Sequence, residues 1–155
     1  MKIQTLSQLL TDQSLTLSVA ESCTGGNLSA LLTSVSGSST YFDRGYITYS
    51  NQAKMDMLDV DVEILEQFGA VSEQTAFQMV NGLVQNSHSD IAVSITGIAG
   101  PTGGTVEKPV GMVCFGFYVK DKHFVKTQHF SGDRETVVAS SVDFVIQTLV
   151  DELSA

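Results

Sequence analysis

The sequence predicts an α/β protein, a three-layer α/β/α sandwich built on a mixed β-sheet. Three observations predict it. Over the first two thirds of the chain, helical apolar patterns alternate with short apolar runs of strand length. Two strand-like segments joined at Lys120-Asp121-Lys122 then read as an antiparallel hairpin, and a last helical stripe closes the chain. Finally, 43% hydrophobic and 16% charged residues over 155 positions suit a packed core rather than disorder. No repeat, linker or low-complexity stretch divides the chain, so residues 1–155 are read as one domain.

The elements follow in order. Ile3, Leu6, Leu9 and Leu10 share one face of a short opening helix over Ile3 to Thr11. Leu15 to Ala20 is a short buried strand that runs into Glu21-Ser22-Cys23-Thr24-Gly25-Gly26. Leu28, Leu31, Leu32 and Val35 then recur at helical spacing, and Ser36-Gly37-Ser38-Ser39 breaks that helix. Gly45 to Tyr49, aromatic and β-branched, is a strand. Ser50 or Asn51 caps a helix carrying Lys54, Met55 and Leu58. A short helix from Val62 to Phe68 stops at Gly69. Ser72 caps a longer helix running to about Gln85. Ile91 to Thr96 is a continuous β-favouring run that opens into a glycine-rich loop, Gly97 to Gly104. Val110 to Val119 and Phe124 to Phe130 form the hairpin, and Ser131-Gly132-Asp133-Arg134 introduces the final helix.

Composition narrows the functions. A formal net charge of -9 disfavours non-specific nucleic-acid binding, which depends on basic residues neutralising phosphates. It leaves room for a small phosphorylated ligand held by one or two local cations. No apolar run approaches a membrane span, and Met1-Lys2-Ile3-Gln4-Thr5 turns polar too early for a signal peptide. Cys23 and Cys114 form no CxxC pair, and the expectation is a reduced cytoplasmic protein without a membrane partner. His88, His123 and His129 lie in no metal-ligand spacing, so no metal site is expected.

In α/β sheets ligands gather at the carboxyl ends of strands. Three polar segments leave strands there: Glu21 to Gly26, Tyr49 to Lys54, and Gly97 to Gly104. Ser22 and Thr24 sit between a strand and a helix, where free N–H groups and the helix dipole favour an anion or an oxyanion. Gly25 and Gly26 admit a ligand close to the backbone. The bland alternative is a glycine turn with a Ser/Thr cap. A serine hydroxyl needs a base, and a lysine serves as one if burial lowers its pKa. Lys54 qualifies if the fold brings it to Ser22, and is otherwise an exposed helix lysine. Cys23 is a rival nucleophile, but strand alternation would turn its side chain away from those of Ser22 and Thr24. The loop bearing Gly97 and Gly100 matches no Walker A or G-x-G-x-x-G pattern, yet its backbone could wrap a phosphate or a base. Tyr49 is a donor to substrate or a rim aromatic. Arg134 is a phosphate clamp or a surface ion-pair partner.

Taken together, these stretches resemble the CinA C-terminal domain family. The resemblance rests on Ala20 to Gly26, Gly45 to Asn51, Ala53-Lys54, Gly69 to Ser72, Ile95 to Pro101, Lys108 to Gly111 and Phe130 to Arg134, in family order over nearly the whole chain. Larger family members carry an extra N-terminal domain that residues 1–155 do not contain. Stand-alone members are nicotinamide-nucleotide amidases, so the resemblance implies hydrolysis of nicotinamide mononucleotide to nicotinate mononucleotide and ammonia, in pyridine-nucleotide recycling. It implies Ser22 as nucleophile, Lys54 as base, Tyr49 as supporting donor, and Thr24 with the amides near Gly25 as oxyanion hole. It further implies Arg134 in substrate binding, no metal or cofactor, and a homodimer. Two other readings stand beside it: a catalytically silent nucleotide-binding paralogue, and an interaction partner in competence or DNA damage. The acidic charge argues against direct DNA contact in the last.

Overall fold

Alternation along the first strand sets the layers. Leu17 and Val19 join one buried cluster and Ala20 the other, on opposite faces of the sheet. The computed structural model describes residues 2–155. In chain order these form α1 (Lys2–Asp12), β1 (Leu17–Glu21), α2 (Asn27–Thr33), a 3-10 turn (Ser38–Thr40), β2 (Phe42–Ile47), α3 (Asn51–Leu58), α4 (Val62–Phe68), α5 (Glu73–Asn86), β3 (Ile91–Gly97), β4 (Met112–Val119), β5 (Lys122–His129) and α6 (Arg134–Ser154). The five strands lie in the order β2-β1-β3-β4-β5. β1 pairs parallel with β2 and β3, and the hairpin of β4 and β5 adds antiparallel strands beside β3. The expected mixed sheet and α/β architecture are therefore present.

One face of the sheet buries Leu17, Val19, Ile91, Val93, Phe115 and Phe117 beneath α1, α2 and α6. The other buries Ala20 and Ala92 beneath α5, with Leu58 of α3 and Leu65 of α4 in the same cluster. The α3 helix is seated by close contact at its end. Any side chain on Gly82 of α5 would collide with the Leu58 carbonyl, so glycine there lets α3 approach.

Element ends depart modestly from expectation. The predicted strand over Gly45 to Tyr49 runs instead from Phe42 to Ile47. Its partner β1 ends at Glu21, opposite Ile47, and beyond that pair the chain turns toward α3. Val35 falls past the end of α2. The caps are as expected: Ser50 Oγ accepts from the Ala53 N–H at 3.0 Å, and Ser72 Oγ from the Thr75 N–H at 3.1 Å.

Candidate active site

The three polar strand ends converge. A cavity of about 260 Å³ is lined by Ser22 and Cys23 after β1, by Tyr49, Asn51 and Lys54 after β2, and by Thr96 to Gly100, Thr102 and Gly103 after β3. Arg134 at the start of α6 and Ala70 and Val71 before α5 complete the wall. Larger hollows lie along α6, but they hold none of the Ser22 and Lys54 chemistry.

Lys54 is the unusual group. It is 1% exposed, and its Nζ donates to Ser22 Oγ at 2.9 Å, to the Thr48 carbonyl at 2.8 Å and to the Tyr49 carbonyl at 3.3 Å. Burial lowers its pKa from 10.5 to about 8. The three acceptors match the three N–H bonds of an ammonium. In the free amine, the two carbonyls hold both N–H bonds and the lone pair is left for the Ser22 hydroxyl. The turn out of β2 builds this cradle, because leaving the strand at Ile47 frees the next two carbonyls to face α3.

Thr24, Gly25 and Gly26 sit elsewhere than expected. None lines the cavity. Thr24 Oγ1 donates to Glu21 at 2.7 Å, and the Gly26 N–H donates to the same carboxylate at 3.2 Å. The start of α2, read from sequence as open to a substrate anion, is thus filled by the chain's own Glu21. The N–H groups of Cys23 and Thr24 donate to no carbonyl among the described residues, whereas those of Ser22 and Gly25 are engaged.

Cys23 is placed largely as expected. It is buried in the cluster of Leu17, Val19 and Leu28, the face opposite Ser22 as alternation predicts, although it also borders the cavity; it is Thr24 that leaves the alternation, turning to Glu21. Burial pushes the Cys23 thiol up to about 12, so it carries no thiolate at neutral pH. Replacing Cys23 by alanine is therefore expected to leave turnover within about 3-fold of wild type. Steady-state rates check this, and a loss beyond about 10²-fold would make the thiol the reacting group.

Gly97, Gly100 and Arg134 line the cavity, as does Tyr49. Arg134 ties the mouth together: Nη1 donates to the Gly100 carbonyl and Nη2 to Tyr49 Oη, each at 2.8 Å. Lys108 anchors the far end of the glycine-rich loop by donating to the Phe68 carbonyl at the end of α4. Thr96 and Asn51, which lie in the matching motifs but carry no expected site role, are also on the wall. Thr96 Oγ1 donates to the Ala70 carbonyl at 2.8 Å, joining β3 to the segment before α5. Among the described residues, no group of three or more His, Cys, Asp or Glu is placed to hold a metal. No described helix is long and apolar enough to cross a membrane.

The model of the CinA C-terminal domain matches residues 2–153. The chain is similar to the nicotinamide-nucleotide amidohydrolase PncC of Enterobacter agglomerans, 51% identical over 134 residues, which covers 86% of this chain and 82% of that protein. The protein of the same description from Escherichia coli K12 is 45% identical over 143 residues, covering 92% and 87%. A longer CinA-like protein of Kosmotoga olearia is 48% identical over 146 residues, and the match spans 35% of its length. Among solved structures, the competence or damage-inducible protein from Enterobacter asburiae superposes with a TM-score of 0.94 at 39% identity, covering 98% of this chain and 96% of that one.

Proposed function

The chain belongs to the CinA C-terminal domain family, and from that membership we propose that it is an amidase. In this reading it hydrolyses the carboxamide of nicotinamide mononucleotide to nicotinate mononucleotide and ammonia, with Ser22 as nucleophile and Lys54 as base. The observation that carries it is the 2.9 Å contact between Lys54 Nζ and Ser22 Oγ, both buried at the wall of the cavity. The relatives of matching length described as nicotinamide-nucleotide amidohydrolases support the substrate.

The hydrolysis is redox-neutral and needs only water besides the substrate. Lys54 takes the hydroxyl proton as Ser22 Oγ bonds to the carboxamide carbon. The carbonyl oxygen gains negative charge, and the Cys23 N–H, beside the nucleophile, is the donor assigned to it, in place of Thr24. Collapse breaks the C–N bond, and the proton on Lys54 leaves with the nitrogen as ammonia. Water, activated by the same amine, then cleaves the Ser22 ester and releases the carboxylate. Arg134 has five N–H bonds, of which two are engaged with Gly100 and Tyr49, so donors remain for the phosphate. Gly97 and Gly100 let the ligand approach the loop backbone. Tyr49 steadies Arg134 and, through its carbonyl, the amine of Lys54.

In this reading residues 1–155 form one catalytic domain working in pyridine-nucleotide recycling. The family resemblance implies a homodimer. The cytoplasmic setting fits two buried free thiols, Cys23 and Cys114.

Ammonia release from nicotinamide mononucleotide, with nicotinate mononucleotide identified as co-product, tests the reaction. Tight binding of the nucleotide without ammonia would instead favour a silent binding protein. The pH dependence tests the base. Lys54 works only when unprotonated, so kcat/KM is expected to climb about tenfold per pH unit on the acid side and level off above about 8. A profile flat from pH 6 to pH 9 would rule out this amine as the base.

A further inference from the structure

We propose that Glu21 is a positioning residue for Ser22, one that no role in the reaction above accounts for. Its carboxylate ties the turn after β1 to α2 and so fixes the direction from which the Ser22 hydroxyl meets Lys54. This inference rests on the assignment of Ser22 as nucleophile.

Glu21 is wholly buried. Five donors converge on its two oxygens. Thr24 Oγ1 at 2.7 Å, the Gly26 N–H at 3.2 Å and the Leu28 N–H at 2.9 Å donate to Oε1. The Ser29 N–H at 2.9 Å and Ser29 Oγ at 2.6 Å donate to Oε2. A carboxylate, which accepts at both oxygens and donates nothing, matches a set made only of donors. The residue before the start of α2, Gly26, has no side chain to cap the helix and sits at φ 107. Glu21 supplies the missing cap from the end of a strand, across the turn that contains Ser22.

The geometry explains why consecutive residues divide the work. Side chains alternate across a strand. At the end of β1 this sends Glu21 into the layer of α2 and Ser22 toward α3, where Lys54 waits. The backbone is held between them: the Glu21 carbonyl accepts from the Thr48 N–H at 2.9 Å, and the Ser22 N–H donates to the Ile95 carbonyl at 3.0 Å. With Glu21 clamped on one side and β2 and β3 gripping the backbone, the Ser22 side chain has little freedom to swing. A misplacement of about 1 Å at a reacting group can lower a rate by about 10²-fold.

The substrate wall is built mainly from other segments, Thr96 to Gly103 and Arg134. Loss of the clamp is therefore expected to fall on kcat and not on KM. In Glu21→Gln an NH2 group replaces one carboxylate oxygen, and either the Ser29 N–H or the donors at Oε1 lose an acceptor. With rates taken per folded molecule below the melting temperature, kcat should fall about 10²-fold while KM stays within about 3-fold. Labelling of Ser22 by a small fluorophosphonate should slow in parallel. Unchanged kcat, or kcat and KM moving together, would overturn the inference.

If Glu21→Gln does not fold, Ser29→Ala decides. It removes one of the five bonds at a helix position that favours alanine, and kcat should fall by about 3-fold or more with KM held. An unchanged kcat in that variant would overturn the inference. If wild type labels at Ser22 but releases no ammonia, the amidase reading fails, and the labelling rates of wild type and Glu21→Gln still decide the role of Glu21. If wild type neither labels nor turns over, both fall.

Discussion

Replacing Ser22 by alanine is expected to lower kcat for ammonia release by at least about 10³-fold while leaving nucleotide binding within a few-fold of wild type. The split follows from where the hydroxyl sits. Ser22 is 7% exposed, and its Oγ is engaged with Lys54 at 2.9 Å and lies 3.4 Å from the Tyr49 carbonyl. It contributes little wall area for a ligand to lose. Losing the nucleophile forces water to attack the amide directly, and what survives is the residual contribution of binding and the oxyanion donor. Calorimetric binding of nicotinamide mononucleotide to the variant, beside its rate, separates the two effects. A second readout is covalent: rapid quenching of wild type with substrate should give a mass increase on Ser22 that the alanine variant lacks. If Ser22→Ala keeps more than a tenth of the wild-type rate, no serine ester lies on the path.

The layered fold was legible in the sequence because its information is local. Apolar spacing in α1, α5 and α6, the Lys120-Asp121-Lys122 turn and the glycine-rich break after Thr96 each carry their own period or turn chemistry. The meeting of Ser22, Lys54 and Arg134 was legible only as a consequence of the fold class, since strand ends in such sheets collect ligands. What escaped depends on where a strand stops. Alternation carried past the end of β1 places Thr24 beside Ser22, whereas its hydroxyl turns to Glu21, and the same error leaves the start of α2 looking vacant. Glu21 was visible in the motif, as an acid facing the positive end of a short helix. Reading it as a cap would have removed Thr24 and Gly26 from the oxyanion hole without any coordinates. The Thr48 and Tyr49 carbonyls could not be found so, because main-chain acceptors leave no trace in residue identity. Nor could the reach of Tyr49 to Arg134, which joins segments 85 residues apart.

Replacing Lys54 by methionine is expected to abolish turnover by at least about 10³-fold and also to change how stability responds to pH. Methionine keeps much of the length and apolar stem and loses the amine, so Ser22 has no base and the acid limb of the rate profile disappears with the activity. The stability effect has a definite sign. In the folded chain the ammonium is disfavoured by burial and loses its proton near pH 8, whereas the unfolded chain holds it until about 10.5. Between those values the unfolded state binds the extra proton, and stability therefore rises with pH. Below about 8 both states are charged and the contribution is constant. Wild type should thus gain on the order of 2 kcal/mol relative to Lys54→Met between pH 7.5 and pH 10.5. Denaturant melts at the two pH values check this, and other titrating groups cancel in the difference. The contrast matters because a lysine serving only to satisfy the Thr48 and Tyr49 carbonyls would stay charged across this range. It would give parallel pH dependences in the two proteins. A parallel result, even with activity lost, would mean that the amine folds as an ammonium and cannot be the resting base for Ser22.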